Sequence, residues 1–205
     1  MLSIASMAAL GGCAGISGPY GQGAGNFHTV VVDAGHGGFD TGARAVYGAR
    51  EKVLTLDTAR RLAKELRKRG FRVVETRTTD RFIALSQRSE VSNQIPGSIF
   101  VSVHYNWSRR HGARGIEVFY YTPKSRRLAA NILQEACRAY PTENRGVKSA
   151  RFYVLRTNKR PAVLCELGFL SNPQDNRHAQ NERYRQRLAE RIAAGIAAES
   201  AGRIP

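Results

Sequence analysis

The chain has 205 residues, 42% of them hydrophobic, which suits one domain with a sizeable core and is too apolar for a disordered chain. Lys and Arg outnumber Asp and Glu 32 to 16, and the formal charge of +16 favours a polyanionic partner: nucleic acid, anionic lipid or an anionic wall polymer. No run of about 18 apolar residues occurs, so no transmembrane helix is expected.

The chain opens on a segment unlike the rest. Residues 1–18 are small, apolar and uncharged and contain Leu10-Gly11-Gly12-Cys13. Residues 1–13 resemble a bacterial lipoprotein signal ending at Cys13, the candidate lipidation site, although no Lys or Arg opens the segment. Residues 14–27 are glycine-rich and read as a linker.

From residue 28 onward, apolar runs alternate with helical patterns. Strands are expected at His28–Val32, Phe71–Thr76, Ser98–His104, Gly115–Tyr121, Phe152–Leu155 and Ala162–Glu166. A helix is expected over residues 51–70, with Val53, Leu56, Ala59, Leu62, Ala63 and Leu66 on one face and Gly70 closing it. Further helices are expected over residues 84–94, 125–140 and 183–199. The expected fold is therefore α/β: a single domain over residues 28–200, with a mostly parallel, twisted sheet of about six strands and helices on both faces. Cys137 on a helix and Cys165 in a strand are expected to be inert buried thiols, with their pairing left open.

Ligand sites in such sheets gather beyond the carboxyl ends of the strands. His36 follows the first strand in "VVVDAGHGGFD", His104 ends "SIFVSVH" and Glu166 ends "PAVLCE". Glu51 opens the first long helix. Each residue alone has an ordinary explanation, such as the helix dipole favouring Glu51. Together, two imidazoles and a carboxylate match a catalytic zinc shell with an open position for water. A further carboxylate can move the water's proton. Gly37 and Gly38 are expected to give the backbone room beside the metal or substrate. A phosphate cradle fits less well, because no Lys-Ser/Thr follows the glycines and the stretch is not G-x-G-x-x-G.

Seven ordered segments then carry a family resemblance: "VVVDAGHGGFDTGA", "GAREKVLTLDTARRLAKEL", "RTTDRFIALSQRSEVSN", "FVSVHYNW", "GIEVFYY", "NRGVKSARFYVLR" and "PAVLCELGFLSN". They resemble the N-acetylmuramoyl-L-alanine amidases of the zinc-dependent Amidase_3 type, over residues 29–199. Ala34 stands where that family usually has proline, and Ser92 where alanine is common. The resemblance implies one zinc ion held by His36, Glu51 and His104, with Glu166 as the catalytic general base. It implies peptidoglycan as substrate, cut between N-acetylmuramic acid and L-alanine of the stem peptide. Asn106 matches the motif either as a group near the substrate or as a strand-end turn residue.

Some members of the family that the chain resembles carry a long insertion whose helix blocks the site until an activator moves it. The stretch between Gly115 and Ala150 is short, so the resemblance implies a site that stands open in a monomer with no obligatory activator. An exported protein of the bacterial envelope is expected, periplasmic or at the cell surface, held to an anionic surface by its charge and by a lipid on Cys13. The alternatives are another zinc-dependent wall peptidase or deacetylase, or an inactive wall-binding module. A nucleic-acid binder is not expected, because no aromatic-studded RNA motif or helix-turn-helix pattern occurs.

Overall fold

The computed structural model describes residues 23–110 and 112–202. The expected signal with Cys13, and residues 14–22 of the linker, lie outside them. The elements in chain order are β1 (Thr29–Ala34), α1 (Glu51–Lys68), β2 (Arg72–Glu75), α2 (Leu85–Asn93), β3 (Ser98–Asn106), β4 (Ile116–Tyr120), α3 (Arg126–Ala136), β5 (Asn144–Ser149), α4 (Tyr153–Arg156), β6 (Ala162–Phe169), α5 (Pro173–Gln180) and α6 (Glu182–Ser200).

The six strands form one sheet in the order β2-β1-β3-β6-β4-β5. Neighbours run parallel except β4 and β6, which are antiparallel. Parallel strands buried on both faces read as continuous apolar runs, as Val30-Val31-Val32 does. On one face, Val30, Val32, Val101, Val103 and Val118 pack under Leu62, Ile132 and Ile192 of α1, α3 and α6. The alternate residues Val31, Phe100 and Leu164 face a smaller core closed by Val154 and Leu155 of α4. Helices thus cover both faces, as the alternating pattern predicts.

Helix α1 carries Glu51 in its first turn and Arg67 and Lys68 in its last, charges that suit its dipole. Gly70, at φ +85°, lets the chain turn out of the helix, and the Phe71 amide donates back to the Leu66 carbonyl at 3.2 Å. The expected apolar face is buried from Ala59 onward, but Val53 is 48% exposed and Leu56 only partly buried, because the buried stripe at the start of α1 runs through Glu51, Leu54, Thr55 and Thr58 instead.

Two further corrections concern the second half. Phe152–Leu155, expected as a strand, belongs to the short helix α4 and its N-cap. Four apolar residues fit either period, and they are apolar because Val154 and Leu155 cap the smaller core. The strand in this region is β5, "NRGVKS", a polar edge strand whose Gly146 (φ +86°) accompanies an irregular register against β4. Helix α5 was not expected, because its residues are mostly polar. Its signal is an Asn-Pro start: Asn172 Oδ1 accepts from the Gln174 and Asp175 amides at 3.0 and 3.2 Å. Both Cys165, buried, and Cys137, half-buried just beyond α3, are free thiols. Burial pushes the Cys137 thiol up to about 11 and Cys165 higher still, so both are inert near neutral pH.

Candidate metal centre

The C-terminal rim of β1, β3 and β6 holds a cleft of about 590 Å³ that contains His36, Glu51, His104 and Glu166. His36 lies two residues past β1, and Glu51 is the first residue of α1. His104 and Glu166 are not the last residues of their strands, as expected. β3 continues to Asn106 and β6 to Phe169, and the register between them shifts after the His104–Glu166 pair. Both side chains nonetheless line the cleft.

The three ligand candidates meet closely. His36 Nε2 lies 3.1 Å from Glu51 Oε2, and His104 Nδ1 lies 3.1 Å from Glu51 Oε1. One donor atom from each falls within 4.8 Å of the others. The rings of His36 and His104 meet edge to face at 4.8 Å. The Tyr105 amide donates to Glu51 Oε1 at 3.0 Å and the Ala43 amide to Oε2 at 2.6 Å, so the carboxylate is fixed from both sides.

Burial alone would raise the Glu51 carboxyl, but the hydrogen bonds and charges of His104 and His36 outweigh it and hold it well below the usual carboxylate range. Burial likewise opposes the charge on His104, yet Glu51 lifts that imidazole to about 9. His36 is raised in the same way. The three groups compensate one another as a cation-loving cluster: one anion attracts two protons, and a dication can replace those protons. Two imidazole nitrogens and one carboxylate oxygen, with no thiolate, form a donor set that zinc accepts and that is one ligand short of a closed structural site.

Glu166 completes the fit. It lines the same cleft, yet its buried Oε2 has no hydrogen-bond partner. Burial pushes its carboxyl up to about 7. A buried carboxylate oxygen without a donor is costly in a purely structural role and suited to proton transfer. Asn106 is tied back, its Nδ2 donating to Glu117 Oε1 at 2.7 Å and its Oδ1 accepting from the Trp107 amide at 2.7 Å. Glu117 is the register partner of Glu166 on β4, and Arg145 and Lys148 of β5 neutralise it.

Several supporting residues escaped the sequence reading. His36 is the one described non-glycine residue at positive φ, +60°. The turn that forces it there is held by two buried arginines. Arg77 donates to the carbonyls of Ala34 (3.0 Å) and Gly35 (2.7 Å), and Arg88 to those of Ala34 (2.6 Å) and His36 (2.7 Å). Arg88 also pairs with the buried Asp33 at 2.8 Å. Asp40 accepts from His36 Nδ1 at 2.9 Å, which leaves Nε2 free to face Glu51.

The glycines act differently from expectation. Gly37 and Gly38 make room for the loop at Arg81 and Phe82, not for the cleft. Gly35 and Gly42 serve the cleft: a Cβ on Gly35 would strike the His104 ring, and one on Gly42 would lie 2.5 Å from Glu51 Oε2. For Asp40 the only signal was its place in "GHGGFD" beside His36. The arginines gave none, since burial of so polar a side chain runs against expectation.

Similar proteins share this architecture. A 36% identical relative, the probable cell wall amidase LytH of Staphylococcus aureus, aligns over 170 residues, 82% of this chain. The chain spans 57% of that protein's length. The N-acetylmuramoyl-L-alanine amidase AmiC2 of Nostoc punctiforme superposes with a TM-score of 0.80 at 36% identity, over 86% of this chain and 97% of that one. The CwlD amidase of Clostridioides difficile, solved in complex with the GerS lipoprotein, superposes at 0.81 with 30% identity, over 85% of this chain and 99% of that one. The family match covers residues 30–198, and with it all four cleft residues and every strand but for the first residue of β1: the chain belongs to the N-acetylmuramoyl-L-alanine amidase family, Amidase_3.

Proposed function

We propose that this chain hydrolyses the amide between N-acetylmuramic acid and the L-alanine of the peptidoglycan stem peptide, with one zinc ion held by His36, Glu51 and His104. When bound, the ion supplies Lewis acidity toward the amide carbonyl and the attacking water. Glu166 takes a proton from that water on Oε2 and delivers it to the amide nitrogen as the C–N bond breaks. The products are a lactyl carboxylate and a free L-alanine amine, so atoms and protons balance. Asp40 keeps His36 in the tautomer that presents Nε2.

The unpartnered Glu166 Oε2 beside the imidazole–carboxylate cluster carries this reading. A binding module would have no use for a buried carboxylate held near 7. Mass analysis of muropeptides digested by the zinc-loaded chain tests it. Intact stem peptides freed from glycan are expected. Cleavage within the peptide would make the chain a peptidase, loss of acetyl groups a deacetylase, and an unchanged substrate a binding module.

The same reading locates the chain in the cell envelope, where its substrate lies, with Cys13 as lipid anchor and the +16 charge holding it to anionic surface. Among the described residues no helix is long and apolar enough to cross a membrane. Mass spectrometry of the N-terminal peptide from native cells tests the anchor. A diacylglyceryl mass on Cys13 is expected, and an unprocessed Met1 start rejects it.

A further inference from the structure

The cleft does not end at the metal cluster. Beyond Ala43 the surface dips again into a hollow of about 560 Å³, lined by Arg44, Ala45, Val46 and Ser171. Trp107 and Ala43 line both cavities, so the indole stands where they join. It is the chain's single tryptophan and is 48% exposed. Its backbone is nonetheless pinned: the Trp107 amide donates to Asn106 Oδ1 at 2.7 Å, and the Asn106 carbonyl accepts from the Leu170 amide at 2.8 Å. A large apolar ring carried into water on a pinned backbone beside a reaction site is a platform for a ligand.

Cleavage of an amide gives the site a direction. Glu166 shares a sheet face with Leu164, the face on which α4 packs. The departing amine must approach Glu166, so the peptide half of the substrate lies toward Phe152 and Tyr153 of that wall. The acyl half then points the other way, past Glu51 and the Ala43 amide bonded to it, toward Trp107. In a muramoyl amide the acyl half carries the sugar. A pyranose ring presents a flat C–H face with hydroxyls at its edge. The weakly positive C–H face complements the negative face of an indole.

We propose that Trp107 and the hollow beyond Ala43 form a glycan subsite, which stacks a sugar ring of the wall polymer on the acyl side of the scissile bond. This rests on the amidase function proposed above. Trp107 is a binding residue there and takes no part in proton transfer.

The single tryptophan makes the subsite directly observable. Zinc-loaded full-length chain is titrated with peptide-free wall tetrasaccharide and, separately, with free stem peptide. Saturable change in indole emission is expected with the glycan and none with the peptide. In parallel, Trp107→Ala is assayed on a muropeptide and on the same stem peptide capped by a lactyl group without the sugar ring. KM is expected to rise about tenfold on the first and less than about twofold on the second, with Trp107→Phe recovering most of the loss. Equal losses on both substrates, or emission that follows the peptide and ignores the glycan, overturn the subsite. Failure of the wild type to free stem peptides rejects the amidase function instead, and the glycan titration still decides the subsite.

Discussion

The Arg88 guanidinium donates from Nη2 to the His36 carbonyl at 2.7 Å while its Nη1 holds both Asp33 and the carbonyl of Ala34. One buried cation thereby sets the backbone of a metal-ligand candidate that sits at φ +60°. A left-handed non-glycine residue stores about 1–3 kcal/mol and persists only where its surroundings enforce it. Arg88→Lys keeps the charge but cannot reach all these acceptors from one nitrogen. We expect zinc affinity to fall about 10–100-fold, as for other partners behind a metal ligand. Arg88→Ala leaves Asp33 buried and unpaired and should destabilise the fold by about 3–5 kcal/mol. Competition with a chelating dye and thermal melts of both variants measure the two effects, and unchanged zinc affinity in Arg88→Lys would assign Arg88 to stability alone.

Glu166→Gln preserves the shape of the side chain and removes its basicity. We expect kcat to fall at least about a hundredfold with zinc stoichiometry and melting temperature unchanged. Near-normal turnover would remove Glu166 from the mechanism.

The imidazole–carboxylate cluster makes stability depend on pH only when zinc has been stripped. His104 is lifted from 6.5 to about 9 by Glu51, so the folded state holds its proton more tightly than the unfolded chain does. That contribution is full below about pH 6.5 and is lost as pH rises through about 9. His36 acts in the same direction. In the zinc-loaded protein both imidazoles must be neutral to ligate, so this alkaline loss should vanish, and zinc binding at pH 7 should release protons. Melting curves of chelated and zinc-loaded protein between pH 6 and 10 test the first part. Calorimetry in buffers of different ionisation enthalpy tests the second.

Asp40→Ala frees the His36 ring to take either tautomer. Zinc affinity should fall by about one to two orders of magnitude, and excess zinc should restore kcat. A kcat deficit that zinc cannot rescue would mean that Asp40 touches the reaction more directly.

The stretch between β4 and β6 is occupied by α3, β5 and α4, and the cleft is open to solvent on the Trp107 side. We therefore expect the purified, zinc-loaded chain to release stem peptides without any added protein. Complete dependence on an added partner would reject this.

The first half of the fold was legible because its elements are strongly patterned. β1 and β3 are built on the apolar stretches Val30–Val32 and Ile99–Val101, and α1 repeats its buried residues at helical spacing up to Gly70. The second half hid its identity for physical reasons. β5 lies at an edge, so it needs no apolar run, while the short helix α4 needs one to close a core. The four cleft residues were readable because imidazoles and carboxylates beside strand ends have few structural uses. Their support was not readable. Arg77 and Arg88 act through backbone carbonyls, and nothing in a linear pattern says which carbonyls an arginine will meet.

The edge strand β5 has a consequence for how this sequence can change over time. Arg145 and Lys148 are the cations that neutralise Glu117, and they also place charge along an otherwise open row of backbone groups. Losing them would harm the protein twice, by stranding an anion beside Glu166 and by inviting another chain to pair with the sheet. Mutational drift in this surface segment is therefore restrained from two directions, one electrostatic and one colloidal, although neither residue lines the cleft.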